Sequence, residues 1–181
     1  LAQTYENIEI ICLNDGSRDN TLAILKEYES KDSRVKVIDK PNTGYGSTMN
    51  LGIDKAEGKY VAIIESDDYI EPTMMETLVN AAEKENLDLA RCLYIERNEV
   101  TGKDKIVHHS FRNLYGKVVK PLEHQEIFFL APSIWVGMYN REFINRNSIR
   151  FLETPGASYQ DTSFAFKVYA AAERVMFIPE V

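Results

Sequence analysis

The chain has 181 residues, 44% of them hydrophobic, enough for one compact domain with a sizeable core. Its 21 basic and 28 acidic residues leave a formal charge of −7, and without a local basic patch this excludes a broad nucleic-acid or anionic-membrane surface. No apolar run approaches the roughly 20 residues of a transmembrane helix, and the opening LAQTYENIEI is not a signal peptide.

In chain order, Ile8 to Leu13 is a short apolar run that reads as a strand covered on both faces. Leu22, Leu25 and Tyr28 then recur at helical spacing between Thr21 and Ser30, and Val35 to Ile38 is a second strand. After a Pro-Asn-Thr-Gly turn, Tyr45 to Ala56 predicts a helix, and Tyr60 to Ile64 a third strand that stops at Glu65-Ser66-Asp67-Asp68. Pro72 opens another helix, with Met74, Met75, Leu78, Val79 and Ala82 on one face, and Leu87 to Ile95 returns as a strand. Beyond residue 96 the pattern weakens. Thr101-Gly102 reads as a hairpin tip, Leu122 to Leu130 and Asn140 to Asn147 as short helices, and about Asp161 to Ala172 as a last helix.

Such alternation predicts an α/β domain with a largely parallel sheet, whose ligands gather at the carboxyl ends of the strands. Two acidic turns arrive there, Asn14-Asp15-Gly16-Ser17 and Glu65-Ser66-Asp67-Asp68. Three carboxylates in four residues repel one another unless a cation sits between them, and Mg²⁺ or Mn²⁺ bound together with substrate phosphates is the simple answer. The plainer alternative is a solvated turn capping the helix near Pro72. Asp15 reads either as an acceptor for a nucleobase or ribose or as ordinary turn chemistry, and Asp161 either as a general base or as a helix N-cap. Gly44-Tyr45-Gly46 permits a weak phosphate-loop reading or close packing of a helix on the sheet. His108, His109 and His124 lack ligand spacing and read as surface or satisfied side chains; Trp135 reads as core; Cys12 and Cys92 read as buried free thiols.

The order of motifs resembles the family 2 glycosyltransferases. The resemblance rests on Ile8 to Ser17 with Asp19 and Thr21, on Asn42-Thr43-Gly44 through Asn50-Leu51-Gly52-Ile53, and on Gly58-Lys59-Tyr60 through Asp68 and Pro72. More loosely, Trp135 to Phe143 and Tyr159-Gln160-Asp161 are similar to the acceptor side of bacterial polysaccharide transferases. The resemblance implies a GT-A (Rossmann-like) fold, a mostly parallel central sheet flanked by helices, over a single domain 1–181. Residues 1–96 would be the nucleotide-sugar-binding half and 97–181 the acceptor-side half. The match begins beyond the family's first strand, so the domain is expected to lack that strand.

The implied activity is inverting, metal-dependent hexosyl transfer from a nucleoside diphosphate sugar, UDP-linked by preference, to a glycan or lipid-linked acceptor of a cell-surface polysaccharide. Asp15, Glu65, Ser66 and Asp67 would bind the donor, Asp67 and Asp68 the Mn²⁺ or Mg²⁺, and Asp161 would be the catalytic base. No nucleic acid partner is implied. The place of action would be the cytoplasm, at the inner face of the membrane if segments outside 1–181 attach there. Glu65 stands where Asp is usual, Gln160 where many relatives carry Glu, and Met49 where many carry Arg. A non-catalytic nucleotide-sugar-binding module and a nucleotidyltransferase are the alternatives.

Overall fold

The computed structural model describes residues 1–156 and 158–181. Its first half follows the predicted alternation: β1 (Ile10–Asp15), α1 (Thr21–Lys31), β2 (Val35–Lys40), α2 (Tyr45–Lys55), β3 (Tyr60–Ala62), α3 (Met74–Glu85) and β4 (Leu89–Arg91). There follow a hairpin of β5 (Tyr94–Asn98) and β6 (Lys103–Val107), then β7 (Val118–Val119), β8 (Gly137–Asn140), α4 (Arg141–Arg146), α5 (Gln160–Ala171) and β9 (Val175–Phe177).

Three expectations need correction. The run Leu87 to Ile95 is not one strand: β4 ends at Arg91 and β5 starts at Tyr94 in a different sheet. Cys92 N–H still bonds to Val136 O and Leu93 N–H to Glu180 O, so the intervening backbone is paired outside any ladder. Leu122 to Leu130 forms two 3₁₀ turns, Pro121–Glu123 and Gln125–Phe129, in which Ile127 is buried while Leu122 and Phe129 are exposed, so the apolar residues do not make one buried helical face. The ladders are also mixed. β1 pairs with β2 in parallel, while the five-stranded sheet runs β3-β8-β4-β9-β7 with only β4 and β9 parallel. β8, from the second half of the chain, lies antiparallel between β3 and β4 of the first half. Among the described residues β1 bonds only to β2 and β3 only to β8.

The sheet is covered on both faces, and its period of two sorts the core. Ala90, Met138, Met176 and Ile178 join Met74, Met75, Leu78, Val79 and Ala82 of α3 on one side. Leu89, Tyr139, Val175 and Phe177 face Phe143 and Ile144 of α4 and Phe164, Val168 and Tyr169 of α5 on the other. Trp135 packs against both clusters, in keeping with its core reading. His109 is buried against Phe111, Tyr115 and Phe177, with ring centroids 5.1, 5.6 and 5.2 Å away, and burial pushes its imidazole down to about 4. It is a neutral core side chain, and its Nδ1 has no partner among the described residues. No helix among the described residues is long and apolar enough to cross a membrane.

Candidate active site

The register brings the carboxyl ends of β3 and β4 to one rim, since Ala62 opposes Met138 and Arg91 opposes the next residue, Gly137. Beyond β3 the chain turns sharply through Glu65-Ser66-Asp67-Asp68, with Asp68 N–H donating to Glu65 O at 3.2 Å. Ser66, Asp67 and Asp68 are exposed and Glu65 is half-buried. Asp161 sits in the first turn of α5, where the positive end of the helix dipole favours a carboxylate. It is not the N-cap. That position is taken by Tyr159 with φ 54°, a left-handed conformation uncommon outside glycine. Asp161 Oδ1 accepts from its neighbour Thr162 N–H at 2.8 Å.

The charge of Asp161 is felt at Glu65. Burial raises the Glu65 carboxyl above its usual value, and the charges of Asp67, Asp68 and Asp161 push the same way, against a hydrogen bond from Tyr45. Burial and the charge of Asp67 likewise raise Asp68. Among the described residues none of Glu65, Asp67, Asp68 and Asp161 has a salt-bridge partner. The result is a set of hard oxygen donors with no salt-bridged counter-charge among the described residues.

Asp15, at the end of β1, is differently placed. Its Oδ1 accepts from the Lys40 ammonium and from Thr43 N–H at 2.9 Å, and its Oδ2 from Gly44 N–H at 3.1 Å. Burial alone would raise this carboxyl, but the Lys40 and Thr43 hydrogen bonds and the Lys40 charge outweigh it and hold it below the usual range. Asp15 thus ties down the 42–44 loop, with acceptor capacity remaining on Oδ2.

The two acidic turns are joined through consecutive residues: Gly44 N–H donates to Asp15, and the Tyr45 hydroxyl donates to Glu65 Oε1 at 2.5 Å. Tyr45 and Lys40 were not identified from sequence. For Tyr45 the available signal was its position opening a helix between two glycines. Of the two readings of these glycines, close packing has direct support: Gly44 has φ 89°, and a Cβ on Gly46 would lie 2.0 Å from Leu152 O. Gln160 is buried and serves its own loop, accepting from Ser158 N–H at 3.0 Å and donating to Gly156 O at 2.8 Å and to Thr154. Met49 packs against the core.

A cleft of about 520 Å³ lies at the other end of the sheet, lined by Asp88, Asn140, Arg146 and Arg174 among others, and includes none of these site acids.

The model for "Glycosyl transferase family 2" matches residues 1–146. The chain belongs to that family. It is 34% identical over 97% of its length to the putative glycosyltransferase EpsH of Bacillus subtilis, covering 51% of that protein. To the uncharacterized glycosyltransferase YibD of Escherichia coli it is 33% identical, over 94% of this chain and 52% of the relative. The chain therefore spans about half the length of these curated relatives. Among solved structures it superposes on TarS of S. aureus with TM-score 0.78 at 24% identity, covering 99% of this chain and 52% of TarS residues 1–349. A mannosyltransferase from Pyrobaculum calidifontis, PcManGT, gives TM-score 0.63 at 16% identity, over 99% of this chain and 48% of that one. The fold is the GT-A architecture of these enzymes, with the mixed ladder described above.

Proposed function

We propose that this chain carries the donor site and catalytic base of an inverting hexosyltransferase. The whole protein would move a sugar from a nucleoside diphosphate, preferably UDP, to a hydroxyl of a glycan or lipid-linked acceptor in cell-surface polysaccharide synthesis. The observation that supports the reading is the acidic turn Glu65-Ser66-Asp67-Asp68 just beyond β3, with no salt-bridge partner among the described residues and with the charge of Asp161 acting on Glu65. The TarS complexes with UDP and UDP-GlcNAc, and the PcManGT complex with GDP-Man and Mn²⁺, support it by analogy of fold.

Asp15 and the loop it organises would border the nucleoside, with the acceptor capacity left on Oδ2 beside the Gly44 bond available to a base or ribose. Glu65 and Ser66 would line the donor. Asp161 would take the acceptor hydroxyl proton as that oxygen attacks the anomeric carbon and the diphosphate leaves. Asp67 and Asp68 would hold a divalent ion. No cluster of three or more His, Cys, Asp or Glu converges among the described residues, and this fits an ion that draws further oxygen ligands from the diphosphate. When bound, such an ion supplies charge neutralisation at the leaving group. The acidic surface makes a nucleic acid partner unfavourable, and work on cytoplasmic nucleotide sugars at the inner face of the membrane fits a lipid-linked acceptor.

Calorimetric titration of UDP into the wild type and Asp67→Ala, with and without Mn²⁺, tests the donor site. Binding that requires Mn²⁺ and is lost in the variant supports it. If UDP binds equally to both proteins without metal, the site is elsewhere. Transfer by the full-length protein then tests Asp161, since undiminished turnover in Asp161→Asn would remove its role as base.

A further inference from the structure

Tyr45 spans the two parts of this site. Its hydroxyl donates to Glu65 Oε1 on the acidic turn. Its ring meets Phe151 edge-on, with centroids 5.8 Å apart at 84°, and Phe151 stacks on Phe164 at 4.2 Å and 6°. Phe164 lies on α5, three residues after Asp161. An unbroken line of contacts therefore runs from the Glu65 carboxylate through Tyr45 and two phenylalanines to the helix that carries Asp161.

The line is held at both edges. Gly46, next to Tyr45, lets α2 approach the Leu152 backbone, and Asn50 one turn on bonds to both backbone groups of Phe151. Tyr45 is fixed by its surroundings, and Glu65 is fixed by Tyr45: no other hydrogen bond to the Glu65 side chain exists among the described residues. Glu65 Oε2 is left free to accept.

We propose that Tyr45 is a positioning residue: it holds Glu65 through Oε1 so that Oε2 accepts a hydrogen bond from a hydroxyl of the bound nucleotide sugar, leaving the cation to Asp67 and Asp68. This rests on the transferase reading and assigns Glu65 a donor-recognition role that depends on a neighbouring phenol. A hydrogen bond made equally in the ground and transition states affects KM and leaves kcat largely alone. Tyr45→Phe keeps the ring packing and removes only the hydroxyl.

The test is steady-state hydrolysis or transfer by the full-length protein with Mn²⁺, using UDP-glucose, UDP-galactose, UDP-GlcNAc and GDP-mannose as probes. Four proteins are compared: wild type, Tyr45→Phe, Glu65→Gln and the double variant. The expected result is a donor KM raised about tenfold in Tyr45→Phe with kcat within about twofold. Because Tyr45 acts through Glu65, adding Tyr45→Phe to Glu65→Gln changes KM by less than about twofold. A merely structural role would instead impose the same penalty in both backgrounds together with a lowered thermal midpoint, and that outcome overturns the proposal. So does an unchanged KM in Tyr45→Phe when the wild type is active. A wild type that neither binds nor turns over any of the four probes overturns the transferase reading itself, and the proposal with it.

Discussion

Asn50 and Phe151 exchange two hydrogen bonds across 101 residues of sequence: Phe151 N–H donates to Asn50 Oδ1 at 2.8 Å, and Asn50 Nδ2 donates to Phe151 O at 3.1 Å. Nδ2 also reaches Glu153 Oε1 at 2.8 Å. Both residues are buried, and the Asn50 amide supplies the partners of the Phe151 backbone, which lies in no strand. Asn50→Ala leaves a buried N–H and C=O unpaired and is expected to cost about 2–4 kcal/mol. Urea unfolding should show a lower midpoint with an unchanged m value.

Gly46→Ala is expected to damage the same junction by a different route. The added Cβ would stand 2.0 Å from the Leu152 carbonyl oxygen, a backbone atom that cannot swing aside. Either α2 or the 151–153 segment must move, at an expected cost of about 2–4 kcal/mol. Circular dichroism melts would register the loss, and UDP binding should weaken with it because Gly44 and Tyr45 move with the helix.

Acid should weaken the Asp15 tether. Its folded-state value lies below the ordinary 3.8, so its contribution to stability is fully present above that value and is lost as pH falls through the lower, folded one. In Asp15→Asn that part of the pH dependence should vanish, and the 42–44 loop should exchange its amides faster at neutral pH. Stability curves from pH 2 to pH 7 for the two proteins make the comparison.

Glu65 and Asp68 behave with the opposite sign. Their folded-state values are raised, so their ionised forms oppose folding at neutral pH, and that opposition is relieved as pH falls through the raised values toward 4.5 and 3.8. A divalent ion offers the same relief without acid. Mn²⁺ with UDP at about 100 times their dissociation constant should stabilise the wild type by about 2.7 kcal/mol, and Asp67→Ala should lose most of this shift. Thermal melts with and without EDTA provide the measurement.

Both cysteines are free thiols, Cys92 buried and Cys12 half-buried. Burial raises both, Cys92 to about 11, against the thiolate that reacts with disulfide reagents. At pH 8 the native protein should react slowly with 5,5′-dithiobis(2-nitrobenzoic acid), and in urea it should release two equivalents without prior reduction.

Much of the fold was legible because burial imposes periods that local sequence must obey. Met74, Met75, Leu78, Val79 and Ala82 had to lie on one helical face, and all five are buried in α3. The apolar runs before Asp15 and Glu65 do form strands, β1 and β3, but Ile10 to Leu13 are half-buried rather than covered on both faces, and β3 stops at Ala62, short of an exposed Ile64. Where local and tertiary demands separate, the reading failed. Leu87 to Ile95 is apolar apart from Asp88 and Arg91 and reads as one strand, but only the pairing of Arg91 with Gly137 and Phe177 shows where the sheet stops and the hairpin begins. The antiparallel entry of β8 between β3 and β4 was likewise invisible, because a strand's direction beside distant neighbours leaves no trace in its own four residues.

The sequence by itself singled out the candidate site residues: Asp15, Glu65, Ser66, Asp67, Asp68 and Asp161 are named by residue type, turn context and order along the chain. Only the tertiary structure decided how they stand to one another. It engaged Asp15 with Lys40, Thr43 and Gly44, brought the charge of Asp161 within reach of Glu65, and placed the Tyr45 phenol on the Glu65 carboxylate. The physical reason is range. Helix and strand periods and turn preferences act over a few neighbouring residues, whereas a hydrogen bond or a charge interaction depends on distance in space, which is set when the sheet, α2 and α5 pack together.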